Sequence, residues 1–169
     1  MLDATSGRRI INNSVTGLTA LENGTTIEFQ LLLQSPAHFN FQLAKDMNQG
    51  LTAAFVAFEQ DRITSYQPGS FNEFQVGEYH FDAGQRRFLV RLELQTDADQ
   101  GLLSVRSLSD DVTIVDETPV AITGWNPVGD PTKAITFDAR PGSLVVIDDI
   151  RILAPTVEGD ATNAEGFPL

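Results

Sequence analysis

Thr25-Thr26-Ile27-Glu28-Phe29-Gln30-Leu31-Leu32-Leu33 is the stretch on which the fold class turns. Ile27, Phe29, Leu31 and Leu33 recur at every second residue with Glu28 and Gln30 between them, and side chains of an extended strand point alternately to its two sides. The stretch therefore reads as a half-buried strand with one apolar face. The same period returns where Phe39, Phe41 and Leu43 alternate with Asn40 and Gln42. Ser35-Pro36 between the two runs is a turn signal, so a hairpin is expected there. Leu51-Thr52-Ala53-Ala54-Phe55-Val56-Ala57-Phe58 is apolar on both faces and reads as a buried central strand.

Further along, short runs at residues 72–76 and 78–81 precede a strong one at 87–95, with Phe88, Val90, Leu92 and Leu94 inward and Arg87, Arg91, Glu93 and Gln95 outward. Asp97-Ala98-Asp99-Gln100-Gly101 interrupts the pattern and residues 102–108 resume it, as in an antiparallel hairpin closed by a Gly-containing loop. Runs at 112–115, 120–123, 134–139 and 144–153 follow, separated by Gly, Pro, Asn and Asp. Short strands at this spacing, without an amphipathic helix, predict an all-β, antiparallel sandwich or barrel. The 169 residues suffice for one core. The expected layout is an N-terminal arm at 1–16, a sandwich domain at 17–154 and a C-terminal tail at 155–169, because both ends are polar, small-residue segments with little periodicity.

The chain carries 11 Lys plus Arg against 23 Asp plus Glu, a formal net charge of −12. Such a balance disfavours a phosphate backbone or an anionic membrane as partner, so neither nucleic acid nor membrane is expected. With no Cys, a disulfide framework, a thiolate metal site and a Cys nucleophile are unavailable. No apolar run approaches the ~20 residues that span a bilayer, and Met1-Leu2-Asp3-Ala4-Thr5-Ser6-Gly7 lacks the cationic and apolar regions of a signal peptide.

Pro141-Gly142-Ser143 followed by an apolar strand closing on Asp148-Asp149-Ile150-Arg151-Ile152 resembles the last strand of concanavalin A-like, laminin-G-like jelly-roll domains. Gly77-Glu78-Tyr79-His80-Phe81, with the runs at 87–95 and 102–108, resembles the middle of such domains, and the likeness extends from Thr16 to Leu153. Members of that group bind glycans, support adhesion or assembly, or scaffold glycosidases and polysaccharide lyases. The resemblance thus implies an all-β, antiparallel two-sheet jelly-roll sandwich of concanavalin A-like type, and a fold more than a function.

Three constellations could carry chemistry. Strict alternation puts Leu144, Val146, Asp148, Ile150 and Ile152 on one face, and a carboxylate in that apolar row would be desolvated. Asp148 then needs either backbone N–H donors from a neighbouring loop or a Ca²⁺ ion held by further oxygen ligands. Asp97-x-Asp99-x-Gly101 resembles the opening of a calcium loop, but Leu108 stands where the bidentate Glu is expected, and a plain hairpin turn is the competing reading. Glu59-Gln60-Asp61-Arg62-Ile63-Thr64 matches two positions of the Glu-x-Asp-x-x-Glu pattern of one glycosidase group and has Thr64 at the third. A Thr cannot act as the second carboxylate of a retaining mechanism. The sequence therefore points away from an enzyme, with a lyase built on Tyr79, Arg91 or Arg151 left open.

Two aromatic residues stand among turn formers, Tyr66 in Ser65-Tyr66-Gln67-Pro68-Gly69 and Trp125 in Thr123-Gly124-Trp125-Asn126-Pro127. A ring in a loop either caps the core or stacks on the apolar face of a sugar, with Gln67, Asn72 and Asn126 as neighbouring hydrogen-bonding groups. The expected function is a non-catalytic, lectin-like glycan-binding or surface-recognition module, using Tyr66, Gln67, Asn72, Trp125 and Asn126, and Ca²⁺ at Asp148, Asp97 or Asp99. The competing expectation is a structural assembly protein, such as a virion decoration, tail or surface-layer component, whose terminal arms join neighbouring subunits into an oligomer. Its partners would be carbohydrate or other subunits, at an extracellular, virion or cell surface.

Overall fold

The computed structural model describes residues 2–3, 9–13, 23–46, 51–70, 72–122 and 134–155. These residues form twelve strands: β1 (Leu2–Asp3), β2 (Arg9–Asn13), β3 (Thr26–Leu33), β4 (His38–Asp46), β5 (Leu51–Glu59), β6 (Arg62–Tyr66), β7 (Glu73–Glu78), β8 (Arg87–Gln95), β9 (Gln100–Ser107), β10 (Val112–Ala121), β11 (Ala134–Ala139) and β12 (Leu144–Leu153). The strand order is β1-β12-β3-β8-β9-β10 in the first sheet and β2-β11-β4-β5-β6-β7 in the second, and each of these neighbouring pairs is antiparallel. Among the described residues the only helical piece is a 3₁₀ turn, Thr96–Ala98, between β8 and β9. The chain is an all-β, antiparallel two-sheet sandwich.

Aromatic rings fill the space between the sheets. Phe29 of the first sheet meets Phe41 and Phe137 of the second at centroid separations of 5.1 and 5.2 Å. Phe39, Phe58, Phe88 and Tyr79 extend this cluster and are fully buried. Each such ring contributes roughly 1.5–3 kcal/mol by leaving water, and a one-residue slip of β3 would turn Ile27, Phe29, Leu31 and Leu33 outward together. All four are buried, as the two-residue period requires.

Four sequence expectations are corrected. The runs around Phe29 and Phe41 are not a hairpin: β3 lies in the first sheet and β4 in the second, and Gln34–Ala37 is a corner between them. Both apolar rows face one core from opposite sides, which alternation alone cannot distinguish from two strands side by side. β6 was not anticipated, and a two-residue turn at Gln60 and Asp61, with φ of 47° and 66°, joins it to β5. The two runs at 112–115 and 120–123 are one irregular strand, β10, whose register shifts between Thr113 and Thr118. Finally, Val145 is fully buried and Ile147 packs against the core, so Val146 and Asp148 face outward. Beyond Asp148 one extra residue enters β12, between the pairs Asp148↔Gln30 and Arg151↔Glu28, with Asp149 at φ 54°. Asp148 is exposed, and its Oδ1 accepts the Asp149 N–H at 2.9 Å. The desolvated carboxylate that alternation implied does not exist.

The N-terminal segment contributes an edge strand to each sheet, β1 beside β12 and β2 beside β11.

Candidate functional site

The inward side of the second sheet is fixed by Phe39, Phe41, Phe58, Ile63 and Phe137, so the residues alternating with them point away from the core. Cross-strand register arranges those residues in three rows. The first runs His38, Glu59, Arg62, Glu78. The second runs Asp138, Asn40, Ala57, Thr64, Gln75. The third runs Thr136, Gln42, Phe55, Tyr66, Glu73, with the Phe55 and Tyr66 rings stacked at 5.0 Å.

This face has a covered middle and an accessible margin. Asn40, Thr64, Thr136 and Asp138 are 4, 7, 7 and 1% exposed, although they point away from the inter-sheet core. His38 and Glu59 border them on one side, with Nδ1 3.3 Å from Oε1. On the other side the Thr64 hydroxyl donates to Glu73 Oε1 at 2.6 Å, beside the half-buried Tyr66. At the centre, Asn40 Oδ1 accepts no hydrogen bond. Small Ala57 stands opposite Asn40, so no long side chain intervenes between the amide and Thr64. Acidic groups at the accessible margin and a stacked aromatic pair suit a polyhydroxylated ligand. Hydroxyls can donate to the acceptors while a C–H face lies on a ring.

The outer side of the first sheet is different. There Arg87 donates to Gln30 Oε1 at 2.7 Å, and Gln30 donates to Asp149 Oδ2 at 3.4 Å. Arg151 pairs with Asp149 at 2.6 Å and lies 3.8 Å from Glu28. These five side chains satisfy one another.

A cavity of about 100 Å³ opens at one end of the sandwich, lined by Pro36, Ala37, Gln60, Asp61, Tyr79, Phe81 and Asp82. It is smaller than the ~300 Å³ at which small-molecule sites begin. Asp61 is occupied structurally there: its Oδ1 accepts the Phe81 N–H at 3.0 Å and its carbonyl accepts the Tyr79 N–H at 2.8 Å. Glu59, Asp61 and Thr64 therefore do not follow one strand, because the β5–β6 turn divides them.

Of the residues singled out from sequence, Tyr66, Gln67 and Asn72 come together at the β6–β7 connection, where Gln67 N–H donates to the Asn72 carbonyl at 2.9 Å. Trp125 and Asn126 lie outside the described residues. Asp97 lies within the 3₁₀ turn and Asp99 caps its C-terminal end at φ 51°, both with exposed side chains. Asp148 is level with Leu89 through Gln30, so roughly 20 Å of strand separates it from that turn at ~3.3 Å per residue. The structure does not join these three carboxylates. Among the described residues no group of three or more His, Asp or Glu side chains is placed to hold a metal. Sequence reading passed over His38, Asn40, Glu73 and Asp138 as binding-site residues and weighed Glu59 only as part of an incomplete glycosidase pattern; the available signal was the polar alternation of Asn40 and Gln42 within an aromatic strand.

No protein-family model matches the sequence, and no curated protein matches it. Solved structures do. A tetrameric galectin from the ball sponge Cinachyrella sp. superposes with a TM-score of 0.53 at 14% identity, over 86% of this chain and 99% of that one. The two share a fold. The CBM2 module of the evolved Dit of Lactobacillus casei BL23 phage J-1 gives a TM-score of 0.50 at 11% identity, over 86% of this chain and 66% of that one. At these identities the likeness concerns the arrangement of strands alone.

Proposed function

We propose that this chain is a non-catalytic, lectin-like glycan-binding domain whose ligand lies at the accessible margin of the outer face of the second sheet. The observation that carries the reading is the Phe55–Tyr66 pair, stacked at 5.0 Å and half-buried, with the exposed Glu73 opposite Tyr66. The ring pair offers a platform for a pyranose C–H face, and a carboxylate beside it can accept from the sugar's hydroxyls. The fold shared with a galectin and a CBM2 module agrees with this use of the sandwich. Such a domain meets its glycan at a cell or virion surface, which is where we place it.

The test is a glycan array, run with Ca²⁺ and with chelator, followed by isothermal titration of the hits. Wild type should bind at least one glycan class, and Phe55→Ala and Tyr66→Ala should each weaken binding about tenfold or more while leaving the circular dichroism spectrum unchanged. A blank array under both conditions, or hits indifferent to both substitutions, would overturn the reading.

A further inference from the structure

Asn23 is the only one of the chain's eight asparagines that precedes a glycine. It is exposed, in the turn that leads into β3. Glycine has no Cβ, which leaves the Gly24 nitrogen open to close approach by the Asn23 side-chain amide. In the folded chain that nitrogen is engaged: its N–H donates to the Leu94 carbonyl at 2.6 Å, and the Leu94 N–H donates to the Thr25 carbonyl at 2.8 Å. Gly24 stands at φ 82°, and a Cβ on it would lie 3.2 Å from Pro155 Cβ, so Pro155 packs over the turn. A reactive dipeptide is thus clamped by the end of β8 on one side and by the chain just beyond β12 on the other.

We infer that Asn23 is a spontaneous deamidation site whose rate is set by the opening of this clamp. The Gly24 nitrogen gives its proton to solvent and attacks the carbonyl carbon of the Asn23 side chain. A C–N bond forms, the bond from that carbon to the amide nitrogen of the side chain breaks, and ammonia leaves. Water then opens the cyclic imide at either carbonyl and yields aspartate or isoaspartate, with nothing oxidised or reduced. While the Gly24 N–H is bonded to Leu94 the nitrogen is unavailable, so the reaction is confined to molecules in which the turn has opened locally, and such openings need less free energy than global unfolding. Isoaspartate carries an additional main-chain carbon directly before Gly24, which alters the turn beside the bonded N–H. Either product replaces a neutral amide by a carboxylate on a chain already at −12.

The experiment is incubation of the full chain at physiological temperature and mildly alkaline pH, with deamidation followed at each asparagine by peptide mass mapping and isoaspartate told from aspartate by electron-transfer fragmentation. Wild type is compared, folded and in denaturing urea, with Pro155→Gly, Gly24→Ala and Asn23→Gln. The expected result is that Asn23 reacts ahead of every other asparagine, and about tenfold or more slowly in the folded chain than in the unfolded one, because only the open fraction reacts. Pro155→Gly removes the packing over Gly24 and should move the folded rate toward the unfolded one. Gly24→Ala should slow the reaction even in urea, since its Cβ hinders the attack, and Asn23→Gln should abolish the signal at this position. If Pro155→Gly does not fold, wild type in increasing urea below its unfolding transition takes its place, with the rate at Asn23 expected to rise along the series. Equal rates in folded and unfolded chain, or a folded rate indifferent to the loosening, would show that the clamp does not control the reaction and would overturn the inference. So would a folded chain in which another asparagine reacts first, or one in which Asn23 stays intact over many times the period that converts the unfolded chain.

Discussion

Asn40 makes the folded protein less stable than a similar protein without its amide. A buried acceptor that has given up water without gaining a donor costs about 1–3 kcal/mol, whereas an apolar side chain of the same shape is nearly neutral. Asn40→Leu is therefore expected to raise Tm by roughly 2–10 °C in calorimetry. An unchanged or lower Tm would mean that the amide is already satisfied in solution. Tyr79 offers a second residue-level check. Burial pushes its phenol up to about 12, reinforced by the nearby Asp61 and Glu59 carboxylates and opposed by a hydrogen bond with the Asp61 backbone. The unfolded chain loses this proton near 10, before the folded one does, so the contribution is complete below pH 10 and disappears as pH rises toward 12. Denaturant titrations across that window should lose up to roughly 3 kcal/mol from this group, and near-ultraviolet absorbance should show its phenolate only around 12 or on unfolding. At this scale Phe29, Phe39, Phe41 and Phe88 were legible as core from their period alone. Asp148 was not, because Leu144-Val145-Val146-Ile147 is apolar on both faces and conceals its parity, and nothing in Asp148-Asp149 announces a one-residue bulge.

Turns explain why elements were missed or joined wrongly. Two-residue hairpins with positive φ at both central positions favour Asn-Gly or Asp-Gly, and Gln60-Asp61 carries neither signature, so β5 and β6 could not be separated by sequence. What holds that turn is distant: the Asp61 side chain takes the Phe81 N–H, a contact across 20 residues. The β8–β9 hairpin was readable because Gly101 follows an Asp-rich break, yet the reason for glycine there is packing. A Cβ on Gly101 would lie 2.7 Å from Leu92 Cδ1, 2.9 Å from Ile122 Cδ1 and 3.1 Å from the Glu93 carbonyl oxygen. The two side-chain ends could yield, but the carbonyl belongs to the neighbouring strand. Gly101→Ala is expected to lower stability by about 1–3 kcal/mol in urea titration with an unchanged m-value. The candidate site was half legible for a related reason. Tyr66, Gln67 and Asn72 are close in sequence and announce a loop, whereas His38, Asn40, Glu59 and Asp138 come from three strands and look, one at a time, like any solvated face.

For the whole molecule, a net charge of −12 means that compaction brings like charges together. Exposed charges further apart than about 10 Å are screened at ~0.1 M salt. Tm should therefore rise when sodium chloride is taken from about 20 to 300 mM; a fall would show that ion pairs such as Arg151–Asp149 and Arg106–Asp111 outweigh the repulsion. The fold class was readable at this scale because many independent alternating runs agree on it. The assignment of each run to a sheet was not, because strand order depends on contacts between distant segments. The corners show this directly. Gln34 N–H donates to the Leu144 carbonyl at 2.9 Å, Leu144 N–H to Ser35 Oγ at 2.8 Å, and His38 N–H to Ser143 Oγ at 2.9 Å, so the β3–β4 crossing is clasped by the β11–β12 crossing.

That clasp has a consequence for the birth of the protein. β11 is the strand between β2 and β4, and β12 is the strand between β1 and β3, so the earliest strands made acquire their partners only when the latest ones arrive. A ribosome adding ~5–20 residues each second leaves β1 and β2 waiting, and pairings so far apart in sequence form slowly. Through that interval the apolar row of β3 must be kept from other chains, and Asn40 waits for Asp138 beside it. The outer face of the second sheet is thus among the last parts of the molecule to be completed, because β11 must be made before it can flank β4.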